Sequence, residues 1–505
     1  MKLKTIFLIL ILLPVYLLGQ NIKKEKLQSL AEKYSKSSFH QLIEILSIPN
    51  DANFPSDIEK NIKWCENAFN KRKFTTTRIE TEGAPLLLAE RKHKNSKKTV
   101  LIYLQLDGQP VDSTKWSQKN PYQPVIKKLN PEGEWKEVAD YDINLYNEDW
   151  RVFARSASDA KGPVAMFLAS LDAIEELNFS PNYNIKVIMD FEEEMGSPNL
   201  PKAVVDNTEL LKSDMLIIFD GPLHDTNKPT LEFGARGIAT VTLTTYGPIV
   251  PQHSGHYGNY APNPALGLAQ LLASMKDPYG RVVIPGYYDG ISIDEETLKI
   301  LRAVPDDEDF IRNKLQLGSI DSVGNSYQEA IQYPSLNIRG MQSGWINEEA
   351  RTIIPAWARA EIDIRLVLES DPEILLKLLK NHIEKQGYFI TSETPTKEER
   401  MNNAKVVSLT YDYAYQSFRT NFNTDVGIWL KRALKKAYNE EIIMVRMGGG
   451  SVPIAPFVNT LAIPAVIVPT VNIDNNQHSP NENLRIGNYR DGIRTMIAIL
   501  TEKLE

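Results

Sequence analysis

The pattern of apolar and polar positions divides the chain into two kinds of segment. In the first half, helical spacing alternates with short continuous apolar runs. Phe39 to Ile48 and Gly162 to Leu177 carry apolar residues at helical spacing, whereas Val100 to Leu106, Ile185 to Met189 and Met215 to Phe219 are runs of strand length. A short run without alternation suits a strand buried on both faces, and its recurrence between helices predicts a mostly parallel sheet covered by helices. From about Gly237 the pattern changes. Ile238 to Tyr246 and Ala358 to Val367 alternate apolar and polar residues, and Ala265 to Met275 and Pro372 to Gln386 read as amphipathic helices. Strands with one solvated face, backed by helices, predict an α+β unit. Ser392 to Asn403 is polar and reads as a loop. Asp425 to Tyr438 is then helical, and Ile463 to Val468 returns to the buried-strand pattern.

The expected fold class is therefore α/β, a mostly parallel sheet flanked by helices, with an inserted α+β lid or dimerisation domain. The expected boundaries are 1–19 for a leader, 20–237 and 417–505 for the two parts of the α/β domain, and 238–416 for the insertion.

The leader follows from the first twenty residues, where two lysines precede an apolar run from Ile6 to Leu18 and Gly19 follows. This is the layout of a cleaved secretory signal, and the run is shorter than the roughly 20 residues of a membrane span. A secreted or periplasmic protein without stable membrane insertion is the expectation. A net charge of −7 gives no general attraction for nucleic acid. Cys65 is the only cysteine, which excludes an internal disulfide and thiolate metal clusters, so a metal here would take His and carboxylate ligands.

Several buried-strand runs end in an acid or lead to a histidine. The run at 100–107 ends in Asp107, that at 185–194 in Glu192, Glu193 and Glu194, and that at 214–220 in Asp220, while His478 lies beyond the 463–468 run. Asp159 sits in a small-residue turn just before a helix. Taken singly, an acid after a strand is a turn or cap residue, three glutamates form a solvated face, and His478 with Ser-Pro-Asn-Glu can cap a helix. Together they gather negative charge at the carboxyl ends of strands, where ligands of open α/β sheets bind, and a divalent cation relieves their repulsion.

These segments resemble the two-metal aminoacylase, carnosine dipeptidase and succinyl-diaminopimelate desuccinylase family of peptidases, the carnosine-dipeptidase branch above all. The matching motifs run in order: YLQLDGQP at 103–110, SASDAKGP at 156–163, DFEEEMGS at 190–197, FDGP at 219–222 and FGARG at 233–237. They continue with HSGHYGN at 253–259, RTIIPAWARAEIDIRL at 351–366, GGGSVPI at 448–454 and HSPNE at 478–482. The resemblance implies a hydrolase that cleaves the amide bond of a small dipeptide or N-acyl amino acid, working as a homodimer, and the leader makes it an exported one. It implies that Asp159 bridges two divalent metals, that Glu194 and His478 complete one site, with zinc expected there, and that Asp220 serves the other. It makes Glu193 the general base, Asp107 an acid supporting the site, and His253 an oxyanion donor reaching the partner subunit's site. Arg365 with Gly449, Gly450 and Ser451 would hold a substrate carboxylate, for which arginine's planar fork is suited. A surface ion pair on a strand is the other reading of Arg365.

The chain departs from the family pattern in three places. Gln105 stands where the family has a histidine ligand, Ala160 follows Asp159 where another Asp is usual, and 130–142 adds a charged stretch that reads as a hairpin at the site's rim. An amide oxygen is a weaker, harder ligand than imidazole, so the second site is expected to hold zinc or manganese or to stay empty. His224, four residues past Asp220, is a candidate substitute imidazole, the plainer reading being a solvated loop residue. A binding protein that kept the fold and lost catalysis is the alternative function. The survival of Glu193 argues against it, since a binder has no use for a general base.

Overall fold

The computed structural model describes residues 22–94, 96–138 and 147–505. The expected leader lies outside them. Among the described residues no helix is long and apolar enough to cross a membrane.

An eight-stranded sheet organises the larger core. Its order is Thr75–Ile79, Leu86–Arg91, Asn184–Asp190, Thr99–Gln105, Met215–Ile218, Ala465–Ile467, Thr230–Glu232 and Ile443–Val445. The four central strands run parallel, and the first two strands pair antiparallel at one edge. Thr99–Gln105 shows why its run lacks alternation. Val100, Ile102 and Leu104 pack into one apolar cluster, while Leu101 and Tyr103 pack into another on the opposite face. The helices Lys24–Ser37, Lys161–Glu176, Asp425–Tyr438 and Ile486–Thr501 cover the first face, and Leu200–Asp206 and Ala455–Leu461 cover the second. Burial on both faces leaves only the strand ends free to present polar side chains, and the acids collect there.

Five of the strands between Gly237 and Tyr415 form a separate sheet in the order Asn337–Ser343, Trp357–Leu366, Gly237–Tyr246, Val406–Tyr415 and Phe389–Thr391. The alternation read from the sequence is realised in the register of Gly237–Tyr246 against Trp357–Leu366. Val241, Leu243, Ala360 and Ile362 face the helices Pro264–Ala273 and Pro372–Lys385 in a second apolar core, while Thr240, Thr242, Glu361 and Asp363 face away.

Two expectations need correction or completion. Ser392–Asn403 is not loop throughout, because Lys397–Asn402 is a short helix. Thr396 and Glu399 form a reciprocal capping box there, whose Thr-x-x-Glu signature outweighs the local polarity. The charged stretch after Asn130 does form a hairpin, in which Val125–Leu129 pairs antiparallel with Trp135–Glu137. Residues 139–142 of that stretch lie outside the described residues.

Candidate metal centre

Strand Thr99–Gln105 delivers Gln105 and then Asp107 to the carboxyl edge of the sheet. Asp107 is fully buried, and its two oxygens accept the backbone N–H groups of Glu193 at 3.1 Å and Glu194 at 3.0 Å. It thereby fixes the single 3₁₀ turn Glu193–Met195 that follows strand Asn184–Asp190. Burial and the nearby carboxylate of Asp190 push the Asp107 carboxyl well up. Asp190 anchors the same turn from below, accepting from Tyr103 Oη at 3.0 Å and Ser197 Oγ at 2.6 Å.

Asp159 precedes helix Lys161–Glu176, with a cis peptide to Ala160. Its Oδ1 accepts from Gln105 Nε2 at 2.7 Å and its Oδ2 from His478 Nε2 at 2.9 Å. Glu194 Oε2 lies 3.3 Å from the same His478 nitrogen and accepts from Gln109 Nε2 at 2.7 Å. Asp159, Glu194 and His478 each present a ligand atom, and all three atoms lie within 4.8 Å of one another. Two carboxylates and an imidazole converging from three separate segments are a fitting donor set for zinc, with His478 half exposed as the open side (55% of its side chain). Burial, then the charge of Asp159, raises the Glu194 carboxyl to about 8, and the hydrogen bond to Asp159 raises His478 to about 9. These groups hold protons that a cation would displace.

Asp220 follows strand Met215–Ile218, and its Oδ1 accepts from Gly221 N at 2.7 Å. Burial and Asp159 push it up to about 7. Gln105 stands beside Asp159 as expected, yet it donates to that carboxylate through Nε2 while its buried Oε1 has no partner. Asp220 lies outside the group of ligand atoms that converges at Asp159, Glu194 and His478, although it feels the charge of Asp159. Two carboxylates with an amide oxygen would suit a hard cation better than zinc. Glu193 is surrounded by acids. Burial, followed by the charges of Asp220, Asp159, Glu194 and Asp107, drives its carboxyl well above the usual range.

His224 does not supply the missing imidazole. Its Nε2 meets Asp306 Oδ1 at 3.0 Å and its Nδ1 meets Thr226 Oγ1 at 3.0 Å, so both ring nitrogens are engaged away from Asp220. Nor is it a solvated residue, since its side chain is only 7% exposed.

A cavity of about 670 Å³ opens beside Asp220 and reaches Gly449, Gly450 and Ser451. Arg365, on the polar face of strand Trp357–Leu366, donates from Nη1 to Ser451 Oγ at 2.7 Å. Its nearest acid, Asp363, is 3.8 Å away, so a tight surface ion pair does not hold the guanidinium. His253 is exposed and lies on the short strand Gln252–His253, which pairs antiparallel with Ile353–Ile354. Its Nδ1 accepts from Gly255 N at 3.0 Å, and among the described residues no hydrogen bond or ion pair links it to the acid cluster of its own chain.

Glu482 was legible as part of the HSPNE motif, but not its task. It caps no helix: helix Ile486–Thr501 starts at Ile486 without a side-chain cap. Glu482 instead accepts Ser158 N and Asp159 N on Oε1, at 3.0 and 2.9 Å, and Ser156 N and Arg155 Nη1 on Oε2, both at 2.8 Å. It holds the turn that presents Asp159. Gln109 and Arg236, which also border the site, lay inside the motifs at 103–110 and 233–237 without a role assigned to them, and Glu232, just before the second, carried no signal.

With this geometry in view, the comparisons with known proteins decide the ancestry. The family model described as peptidase family M20/M25/M40 matches residues 102–502. The chain belongs to this family. It is a metallopeptidase of the M20 fold. Among its relatives is the Cys-Gly metallodipeptidase dug1 of Schizosaccharomyces pombe, 26% identical over 83% of this chain and 82% of that one. The human Beta-Ala-His dipeptidase is 26% identical over 83% of this chain and 77% of that one. Among solved structures, the M20 family metallo-carboxypeptidase Sso-CP2 from Sulfolobus solfataricus superposes with a TM-score of 0.76 at 27% identity, covering 92% of this chain and 98% of that one. Human carnosine dipeptidase 1 shares the fold with a TM-score of 0.74 at 22% identity, over 94% and 98% of the two chains.

Proposed function

We propose that this M20 metallopeptidase is an exported dipeptidase that hydrolyses the amide bond of a small substrate with Glu193 as its general base. The observation that carries this reading is the placement of Glu193. It adjoins Glu194 on a turn pinned by Asp107 and feels the charges of Asp220 and Asp159, and Asp220 lines a cavity that reaches Ser451, the hydrogen-bond partner of Arg365. The dipeptidases among its relatives support the substrate class.

Asp159, Glu194 and His478 would hold zinc. Asp159 and Asp220, with Gln105 at best, would hold zinc or manganese or leave the second site empty. When bound, the ion polarises the scissile carbonyl and makes water acidic enough to lose a proton near neutral pH. Glu193 takes that proton and returns it to the leaving amine. Burial and the surrounding acids raise its carboxyl, and a bound cation would offset those charges and leave it ionised, ready to accept the proton. Arg365 and Ser451, with the Gly449-Gly450 turn, hold the substrate carboxylate and so set the distance of the amide from Glu193.

The same reading assigns residues 20–237 and 417–505 to the catalytic unit and 238–416 to a dimerisation lid. His253, exposed and remote from its own acid cluster, then serves the partner subunit's site as an oxyanion donor. The apolar run of the first twenty residues supports export. A binding protein without catalysis accounts less well for an acid held at the position of a general base.

The test is hydrolysis of a panel of dipeptides and N-acyl amino acids by the purified chain, after chelation and again after return of zinc or manganese. Activity lost on chelation and restored by metal supports the proposal. A fully metallated protein that binds these compounds without cleaving any of them overturns it.

A further inference from the structure

The cavity beside Asp220 also contains an acid that the metal chemistry leaves unused. Glu232 ends strand Thr230–Glu232, which runs parallel to Ile443–Val445 with Val445 as its register partner. Its carboxylate lines the cavity. Asp220, a like charge, is the one charged group acting on it, and burial with that charge pushes it up to about 7. Lys314, on the same cavity wall, faces Asp225 at 3.7 Å instead. Among the described residues no hydrogen bond or ion pair meets the Glu232 carboxylate, and a half-buried carboxylate left so is costly unless something that enters the cavity pairs with it.

Its position depends on glycine at 448. Gly448 N donates to Gly234 O at 2.8 Å, so residue 448 runs alongside the end of the Glu232 strand. A Cβ on Gly448 would lie 2.2 Å from Glu232 Oε2, far inside contact distance. The bare backbone therefore leaves that corner to the carboxylate. Tyr327 approaches from the other side, its hydroxyl 3.4 Å from where a Cβ on Gly449 would stand.

Positive charge lies within a short span. Ser451, three residues beyond Gly448, is bonded to Arg365, and three residues reach at most about 10 Å. Arg236 lines the cavity too, with its Nε buried and unpartnered. Glu232 thus shares one cleft with the Arg236 guanidinium and with Ser451, which Arg365 holds, and the three-residue span of at most about 10 Å is on the scale of an extended dipeptide, about 7 Å.

We infer that Glu232 receives the free ammonium group of the substrate, so that the cleft selects dipeptides with a free amino terminus over N-acylated amino acids. The inference rests on the amide-hydrolase reading above and narrows its substrate class. An ammonium brings three donors and the compensating charge. An acyl methyl brings neither and leaves the carboxylate desolvated and alone, which is how sites built for a polar group reject its analogue.

Glycylalanine and N-acetylalanine are the probes, since they differ only in that ammonium. Binding is measured by calorimetry on zinc-loaded Glu193→Gln protein, and turnover on the wild type. The expected preference for glycylalanine is at least about 10²-fold. Adding Glu232→Gln cuts that preference about 10- to 100-fold. Gly448→Ala, which displaces the carboxylate without removing it, acts in the same direction and guards against a defect peculiar to the first variant. Equal binding of the two probes, or a preference untouched by both variants, overturns the inference. If calorimetry discriminates and the wild type cleaves neither probe, the ammonium site stands and the hydrolase reading falls instead.

Discussion

Glu482→Gln isolates the one carboxylate that builds the metal turn without touching metal. Glu482 and Arg155 are 1% and 3% exposed, and four donors converge on the two carboxylate oxygens. An amide can accept on one side only. Its NH₂ group must confront either Arg155 and Ser156 or Ser158 and Asp159, and the Arg155 charge loses its partner in both orientations. Breaking a buried pair from one side costs about 3–5 kcal/mol. Part of that cost falls on the turn itself, because Asp159 N is one of the four donors. The expected result is a thermal midpoint lower by about 3–5 °C and a weakened affinity for the first zinc, read by scanning calorimetry and equilibrium dialysis on the same sample. Glu482→Gln combined with Arg155→Met should recover part of the midpoint, since removing both buried charges relieves the unpaired one. A single variant with an unchanged midpoint and unchanged zinc affinity would refute the reasoning.

Three further outcomes are expected. Gln105→His should tighten the weaker of two metal-binding steps, seen in a competitive titration, whereas matched high-affinity binding of two zinc ions by the wild type would show that Gln105 is no handicap. Metal-free protein should lose thermal stability as pH rises from about 4 to about 9. Glu194 and Asp220 have folded values raised to about 8 and about 7, and His478 is raised to about 9, so each contributes stability at low pH that disappears as pH climbs through its folded value. Zinc should flatten this dependence, and a metal-free midpoint that rises with pH over the same range would contradict it. Mixed dimers of His253→Ala and Glu193→Gln subunits should regain part of the activity that each lacks alone, and verified mixed dimers with no recovery would place His253 in its own chain's site or outside catalysis.

The sheet and the acids at its strand ends were readable because burial on both faces produces runs that end abruptly where polar side chains begin. Val100 to Leu106 closing on Asp107 is the clearest case. The alternation of Ile238 to Tyr246 likewise announced a sheet with one open face. What escaped depends on distant segments meeting. Glu482 caps a turn more than three hundred residues earlier, and nothing local distinguishes it from a helix cap. Glu232 matters only because residue 448 has no side chain. His224 looked solvated until Asp306, from a segment of weak periodicity, closed over it. Ser392–Asn403 was misread because its charge masked a capping box that was present in the letters.

The most direct test of the central claim compares Glu193→Gln with Glu194→Gln, measuring metal content and dipeptide turnover on the same preparations. The account predicts that Glu193→Gln keeps its first zinc and loses about 10²-fold or more in turnover, while Glu194→Gln loses the zinc itself. Equal metal loss in both variants, or near-normal turnover in metallated Glu193→Gln protein, would contradict it.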